Sequence, residues 1–213
     1  MLQMTPVVGD LVANCDALMD GYEQAVRLGA DCVVSPELAL SGYPPEDLLL
    51  KDGFIADIRD YLNNMAVQVG NVPFFVGAPM EAGAEVVVAP PSDARRVSQV
   101  AAPTRSTALG NCVAVLRDGR IEDVAVKRLL PNYDVFDERR YFVPGVGPHA
   151  MININGVAVG FVICEDIWVP HGPAAELAAE GVRDVDWAIQ ATKRFIDAGA
   201  YMVMVESEGI TEN

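Results

Sequence analysis

The chain has 213 residues, 51% of them hydrophobic and 21% charged, enough for one α/β domain with a real core. Acidic residues outnumber basic ones 30 to 15, a formal charge of −15. That excess argues against nucleic acid or an anionic membrane as partner, because both are held by Lys and Arg. No apolar run approaches the ~20 residues that span a bilayer, and the start, Met1-Leu2-Gln3-Met4-Thr5-Pro6, lacks the basic head and apolar stretch of a signal peptide. The cysteines, Cys15, Cys32, Cys112 and Cys164, lie far apart with no CxxC metal spacing. They read as reduced thiols of a cytoplasmic protein with no metal site.

In chain order, Val12, Cys15, Leu18, Met19, Tyr22, Ala25 and Val26 recur at three and four and predict an amphipathic helix, with Gly29 as its C′ residue. Cys32-Val33-Val34 reads as a short buried strand that Pro36-Glu37 ends. After the loop Ser41-Gly42-Tyr43-Pro44-Pro45, Pro45 suits the first position of a helix, with Glu46 and Asp47 in its acidic first turn. Phe54, Ile58, Tyr61, Leu62 and Met65 mark a further amphipathic helix, and Pro73 to Gly77 a second strand. Helices alternating with apolar strands indicate an α/β fold.

Residues from about 82 to 109 carry Ala89-Pro90-Pro91-Ser92 and little periodicity, and read as a flexible surface insertion. Order resumes with Cys112 to Leu116, the turn Arg117-Asp118-Gly119-Arg120 and Val124 to Val126, a hairpin signal. A second strand pair is expected around Asn155-Gly156. Its second member, Val157 to Ile163, is apolar throughout, as expected of a strand buried on both faces.

Cys164 stands where that strand gives way to Glu165-Asp166-Ile167-Trp168. A nucleophile at such a junction is exposed at the sheet edge, with backbone N–H groups nearby to stabilise an oxyanion. A thiol near neutral pH is only partly ionised and needs a base or a positive neighbour. Neither His149 nor His171 has the context of a Cys–His pair. Glu37, at another strand end, can act as base, and Lys127 can supply positive charge. Taken singly, Glu37 reads first as a surface carboxylate and Lys127 as a solvated charge.

Three sequence segments bind these residues into one constellation. Pro36-Glu37-Leu38-Ala39-Leu40-Ser41-Gly42-Tyr43-Pro44-Pro45-Glu46-Asp47-Leu48 resembles the first catalytic segment of the nitrilase (carbon–nitrogen hydrolase) superfamily, and within it the glutaminase domains of glutamine-dependent NAD synthetases. Lys127 to Tyr133 with Val135 to Phe142 resembles the segment of the family lysine, and Cys164 to Trp168 its nucleophile segment. The resemblance implies an α-β-β-α sandwich that forms oligomers and hydrolyses the glutamine side-chain amide through a Cys thioester, supplying ammonia for NAD synthesis. It makes Cys164 the nucleophile, Glu37 the general base, and Lys127 with the N–H of Glu165 the oxyanion support. Glu138 matches a second family glutamate that orients lysine and substrate, and Tyr43 a residue near the glutamine pocket. The hydrolase step needs no cofactor. A synthetase half would need an ATP-binding loop of Ser-Gly-Gly-x-Asp-Ser type, which this sequence lacks, so a separate synthetase domain would be a partner.

The resemblance covers residues 1–182, so the expected nitrilase-like sandwich is incomplete at the C-terminus. Its first strand is shortened to Leu2-Gln3-Met4. Residues 183–213 read as an atypical tail, with a helix from Ile189 to Ile196 and a strand from Tyr201 to Val205. The tail resembles one helix–strand unit of phosphosulfolactate synthase, a (β/α)-barrel lyase, with Glu206 and Glu208 at the strand end. An inactive remnant serving as a binding module is the alternative to an amidohydrolase, and a lyase fragment the further one.

Overall fold

The computed structural model describes residues 1–81, 108–146, 150–169 and 172–179. Helix α1 (Leu11–Arg27) follows the expected periodicity and buries Leu11, Asn14, Leu18 and Tyr22 on one face. The Asp10 carboxylate caps it, accepting from Ala13 N at 3.1 Å, which satisfies one of the first-turn donors. At the other end Gly29 adopts φ +83°, the left-handed C′ geometry that glycine reaches without Cβ strain. Residues 46–50 form a 3₁₀ turn, Glu46–Leu50, with Pro45 as its cap, before α2 (Asp52–Gln68) buries Ile58, Leu62, Met65 and Ala66.

Strands β1 (Val33–Val34), β2 (Phe74–Glu81), β3 (Leu109–Arg117) and β4 (Arg120–Val126) form one sheet in that order. The β1–β2 pair is parallel and the others antiparallel. The β3–β4 hairpin turns at Asp118 and Gly119, both at positive φ (51° and 79°) as the Asp-Gly pair predicts. Residues 2–4 form no strand, although Leu2 N donates to Val34 O at 2.8 Å and Leu2 and Met4 pack on the core.

The period of two divides β2 between two layers. Phe74, Val76 and Ala78, with Ala114 and Leu116 of β3, face α1 and α2. Phe75 and Val115 point the other way, onto Ile152, Ile154, Val159 and Phe161 around the second sheet. That sheet pairs β5 (Met151–Ile154) with β6 (Val157–Gly160) about Asn155-Gly156. Helix α3 (Pro173–Ala179) approaches its outer face so closely that a Cβ on Gly160 would lie 2.6 Å from Leu177 Cδ2. Helix pair, sheet, sheet and helix thus stack in α-β-β-α order. Each fully buried Leu or Ile of this core contributes about 1.5–3 kcal/mol.

Strand β6 differs from its sequence reading. It ends at Gly160 rather than Ile163, and Val157 is 57% exposed. An apolar run states that both faces tolerate burial, while the covering layer sets how much occurs. Among the described residues only β5 pairs with β6, and Leu177 lies against Gly160, at the opposite end of the strand from Val157. The expected insertion falls almost wholly on residues 82–107, outside the described residues, with β3 starting at Leu109. The tail, with its helix, strand, Glu206 and Glu208, also lies outside them, as do His149 and His171.

Candidate active site

Glu37 opens a turn over residues 37–41, separated from the end of β1 by Ser35 and Pro36, and Leu38 next to it takes φ +49°. The loop crosses β2 in close contact: a Cβ on Gly77 would stand 2.5 Å from Pro36 O and 2.6 Å from Leu38 N. Ser35 Oγ accepts from Gly77 N at 2.9 Å, and Leu40 N donates to Gly77 O at 3.1 Å. Buried Asn14 of α1 secures the far side, donating to Val7 O at 2.8 Å and Leu40 O at 3.1 Å. The Glu37 segment is therefore held by hydrogen bonds on both sides.

Lys127 is the first residue beyond β4. Its N–H donates to Asn111 O and its C=O accepts from Gly145 N, both at 2.8 Å. The side chain turns inward and is fully buried, its ammonium 2.7 Å from Glu37 Oε1 and 2.8 Å from Glu138 Oε1. Glu138, in a short 3₁₀ turn (Glu138–Arg140), is itself buried and also accepts from the Tyr43 hydroxyl at 3.2 Å. Both bland readings fail here, since the Glu37 side chain is only 12% exposed and Lys127 not at all.

The Cys164 turn is tied to the same loop. Residues Cys164–Ile167 form a 3₁₀ turn in which Asp166 is buried. Asp166 Oδ1 accepts from Arg128 N at 3.0 Å and Leu129 N at 2.7 Å, and Oδ2 from Ile163 N at 3.2 Å. One carboxylate thus joins the backbone before Cys164 to that after Lys127. Cys164 adopts φ +44°, a left-handed conformation costing about 1–2 kcal/mol for a residue with a Cβ, and such strain collects at functional turns.

The electrostatics are those of one coupled site. Burial pushes the Cys164 thiol up to about 12, with Glu37, Glu138 and Glu165 adding to the rise and Lys127 opposing it. Burial alone would lower the Lys127 pKa, but Glu37 and Glu138 outweigh it and hold the group above its ordinary value. Burial, with a smaller push from Glu37, raises Glu138 above its ordinary value, while Lys127 and Tyr43 pull it back. The resting site therefore holds a neutral thiol beside an ammonium shared by two carboxyl groups.

Of the six residues singled out from sequence, the structure gathers Glu37, Lys127, Glu138 and Tyr43 into one hydrogen-bonded cluster, and the charges of the first three bear on Cys164. Glu165 is different: its carboxylate accepts from the Tyr133 hydroxyl at 2.9 Å on the exposed side. Asn111, Asp166 and Tyr133 were given no role from sequence. Asp166 and Tyr133 sit inside the quoted motifs, and Asn111 was detectable as a polar residue opening an apolar strand. A cavity of about 240 Å³ lies between the loop of Tyr43 and Pro44 and the segment of Phe136 and Tyr141, with Glu138 on its wall. It touches Glu138 and Tyr43 but not Cys164, Glu37 or Lys127.

Comparison with known proteins adds relatives to this geometry. The chain is 42% identical over 184 residues to the glutamine-dependent NAD(+) synthetase of Xanthomonas campestris pv. campestris, covering 85% of this chain and 29% of that protein. It is 38% identical over 183 residues to the enzyme of that name from Thermotoga maritima, covering 85% and 28%. The chain therefore spans less than a third of these relatives. Among solved structures, glutamine-dependent NAD+ synthetase from Acinetobacter baumannii superposes with a TM-score of 0.68 at 29% identity, over 84% of this chain and 30% of that one. An amidase of the nitrilase superfamily from Nesterenkonia shares the fold, with a TM-score of 0.63 at 19% identity over 85% of this chain and 60% of its own. The sandwich expected from sequence is thus a nitrilase-superfamily fold. The carbon-nitrogen hydrolase family model matches residues 1–212, and the chain belongs to that family.

Proposed function

We propose that this chain hydrolyses the side-chain amide of glutamine to glutamate and ammonia, as the ammonia-supplying part of NAD synthesis. The observation that carries the reading is the buried ammonium of Lys127 held between Glu37 and Glu138 beside a cysteine on a strained turn. In this reading Glu37 takes the Cys164 proton as sulfur attacks the amide carbon, and Lys127 with the Glu165 N–H meets the charge that develops on oxygen. The C–N bond breaks as Glu37 returns the proton to the departing nitrogen, leaving a thioester and ammonia. Water, deprotonated by Glu37, then cleaves the thioester to glutamate and restores the thiol. Glu138 and Tyr43 orient the lysine and line the approach.

The balance closes with water alone, and no cofactor takes part. Glutamine rather than another amide is preferred because relatives at 34–42% identity carry the name glutamine-dependent NAD(+) synthetase. Ammonia would pass to an ATP-binding synthetase domain outside this sequence, joined to it or met as a separate partner, in the cytoplasm. Self-association into oligomers belongs to the same reading, with residues 1–182 as the hydrolase unit and residues 183–213 as an appended tail. Among the described residues no helix is long and apolar enough to cross a membrane. The test is ammonia and glutamate release from glutamine by the purified chain and by Cys164→Ala. Release by the native protein with none from the variant is expected; equal rates would refute the assignment.

A further inference from the structure

We infer that Asn111 is a positioning residue of this site, setting the charge and direction of the carboxylates that flank Lys127; the inference rests on the amide-hydrolysis reading above. Asn111 is fully buried near the start of β3. Its Nδ2 donates to Glu37 Oε1 at 2.6 Å and reaches Glu138 Oε2 at 3.5 Å, the second contact being the weaker. Its backbone C=O accepts from Lys127 N at 2.8 Å. One residue therefore bears on all three charged members of the cluster, two through its side chain and one through its main chain.

The orientation of the amide follows from its neighbours. Turned over, Oδ1 would face a carboxylate oxygen with no proton between them, so the donor end must meet Glu37. The other end is buried and has no hydrogen-bond partner among the described residues. Buried polar atoms are almost always paired, and an asparagine that merely filled space in a strand would satisfy both ends. Here the donor contact with the carboxylates is kept while the acceptor goes unpaired among the described residues. A hydrogen-bond donor favours the charged form of the carboxylate it meets and fixes the direction in which that carboxylate presents its free oxygen.

Two variants test this. Asn111→Leu keeps the volume and removes the donor; Asn111→Asp keeps the shape, removes the donor and adds a negative charge. For Asn111→Leu the acid limb of kcat/KM for ammonia release moves up by about half a unit to one unit. Its kcat falls about 10- to 100-fold while KM stays within about threefold. Asn111→Asp moves the limb further in the same direction and serves as the deciding variant should the leucine protein not fold. Unfolding temperature is followed in parallel, because a purely structural asparagine would lower it and leave the limb where it is. That result, an unmoved limb in whichever variant folds, overturns the inference. Difference infrared titration of the Glu37 carboxyl band, assigned by its loss in Glu37→Gln, reports the same shift without turnover. A wild-type chain that releases no ammonia thus refutes the amide-hydrolysis reading, while the infrared shift still decides on Asn111.

Discussion

Lys127→Met keeps an unbranched side chain of similar length but removes the ammonium that stands 2.7 Å from Glu37 and 2.8 Å from Glu138. Asn111 and Tyr43 still donate to the two carboxyl groups, yet no cation remains between them. Removing one partner of a buried ion pair costs about 3–5 kcal/mol, because the other charge stays out of water. Against a total stability of about 5–15 kcal/mol, that is a large fraction. The loss should also depend on pH. Lys127 draws Glu138 down against the effect of burial; without it Glu138 rises further, so the folded variant holds a proton at pH values where the unfolded chain, ionising near 4.5, has lost it. More protons bound in the folded state means stability falls as pH rises, by up to about 1.4 kcal/mol per unit. Native Lys127, with its pKa raised above 10.5, keeps its contribution until the pH climbs through the folded value. Urea unfolding of both proteins at about pH 5 and about pH 7.5 should therefore show a gap that widens toward neutrality. Lys127→Met/Glu138→Gln, with one buried charge fewer, should recover part of it. A gap below about 1 kcal/mol, or one identical at both pH values, would refute the account of a buried, mutually dependent triad.

Gly77→Ala should displace Glu37, the base of the proposed mechanism, without touching it. The new Cβ meets Pro36 O at 2.5 Å and Leu38 N at 2.6 Å, both rigid backbone. A loss of about 1–3 kcal/mol in unfolding free energy is expected from overpacking, with ammonia release reduced roughly 100-fold if the Glu37 carboxylate moves by about 1 Å. Gly70→Ala, where nothing lies within 4 Å of the new methyl, is the control and should match the native protein in both measurements. Cys164 supplies the pH test: with its thiol pushed up to about 12, labelling by iodoacetamide, read at that peptide by mass spectrometry, should still be rising above pH 9. A plateau below neutrality would mean a resting thiolate of the low-pKa kind.

Legibility from sequence divided along physical lines. Helices α1 and α2 were readable because a one-sided burial pattern repeats every three or four residues, and both hairpins because Asp118-Gly119 and Asn155-Gly156 supply paired positive φ values. Glu37, Lys127 and Cys164 were found through their surrounding motifs, since by residue type each had a commonplace explanation. What escaped was pairing at a distance. Asn111 lies 74 residues from Glu37 in the chain, and Asp166 lies 38 from Arg128; no local pattern marks a hydrogen bond across such a separation. The exposure of β6 was misjudged for a related reason, because it depends on which layers come to cover Val157 rather than on the strand itself.

The charge state of the cluster bears on why a glutamate, rather than a histidine, would serve as base in the proposed mechanism. Two carboxyl groups face one ammonium, and Lys127 is held in its charged form. Adding a resting thiolate would place a further negative charge among groups already in excess, in surroundings where burial is the first cause of the raised thiol pKa. Proton transfer from Cys164 to Glu37 avoids that, because a thiol and a carboxylate become a thiolate and a carboxylic acid with no change in net charge. The negative charge simply moves from one side of the ammonium toward the attacking atom. The Asp166 bonds to Ile163, Arg128 and Leu129 then acquire a definite purpose in this scheme: they hold the nucleophile turn and the lysine loop at one spacing while the charge moves between them.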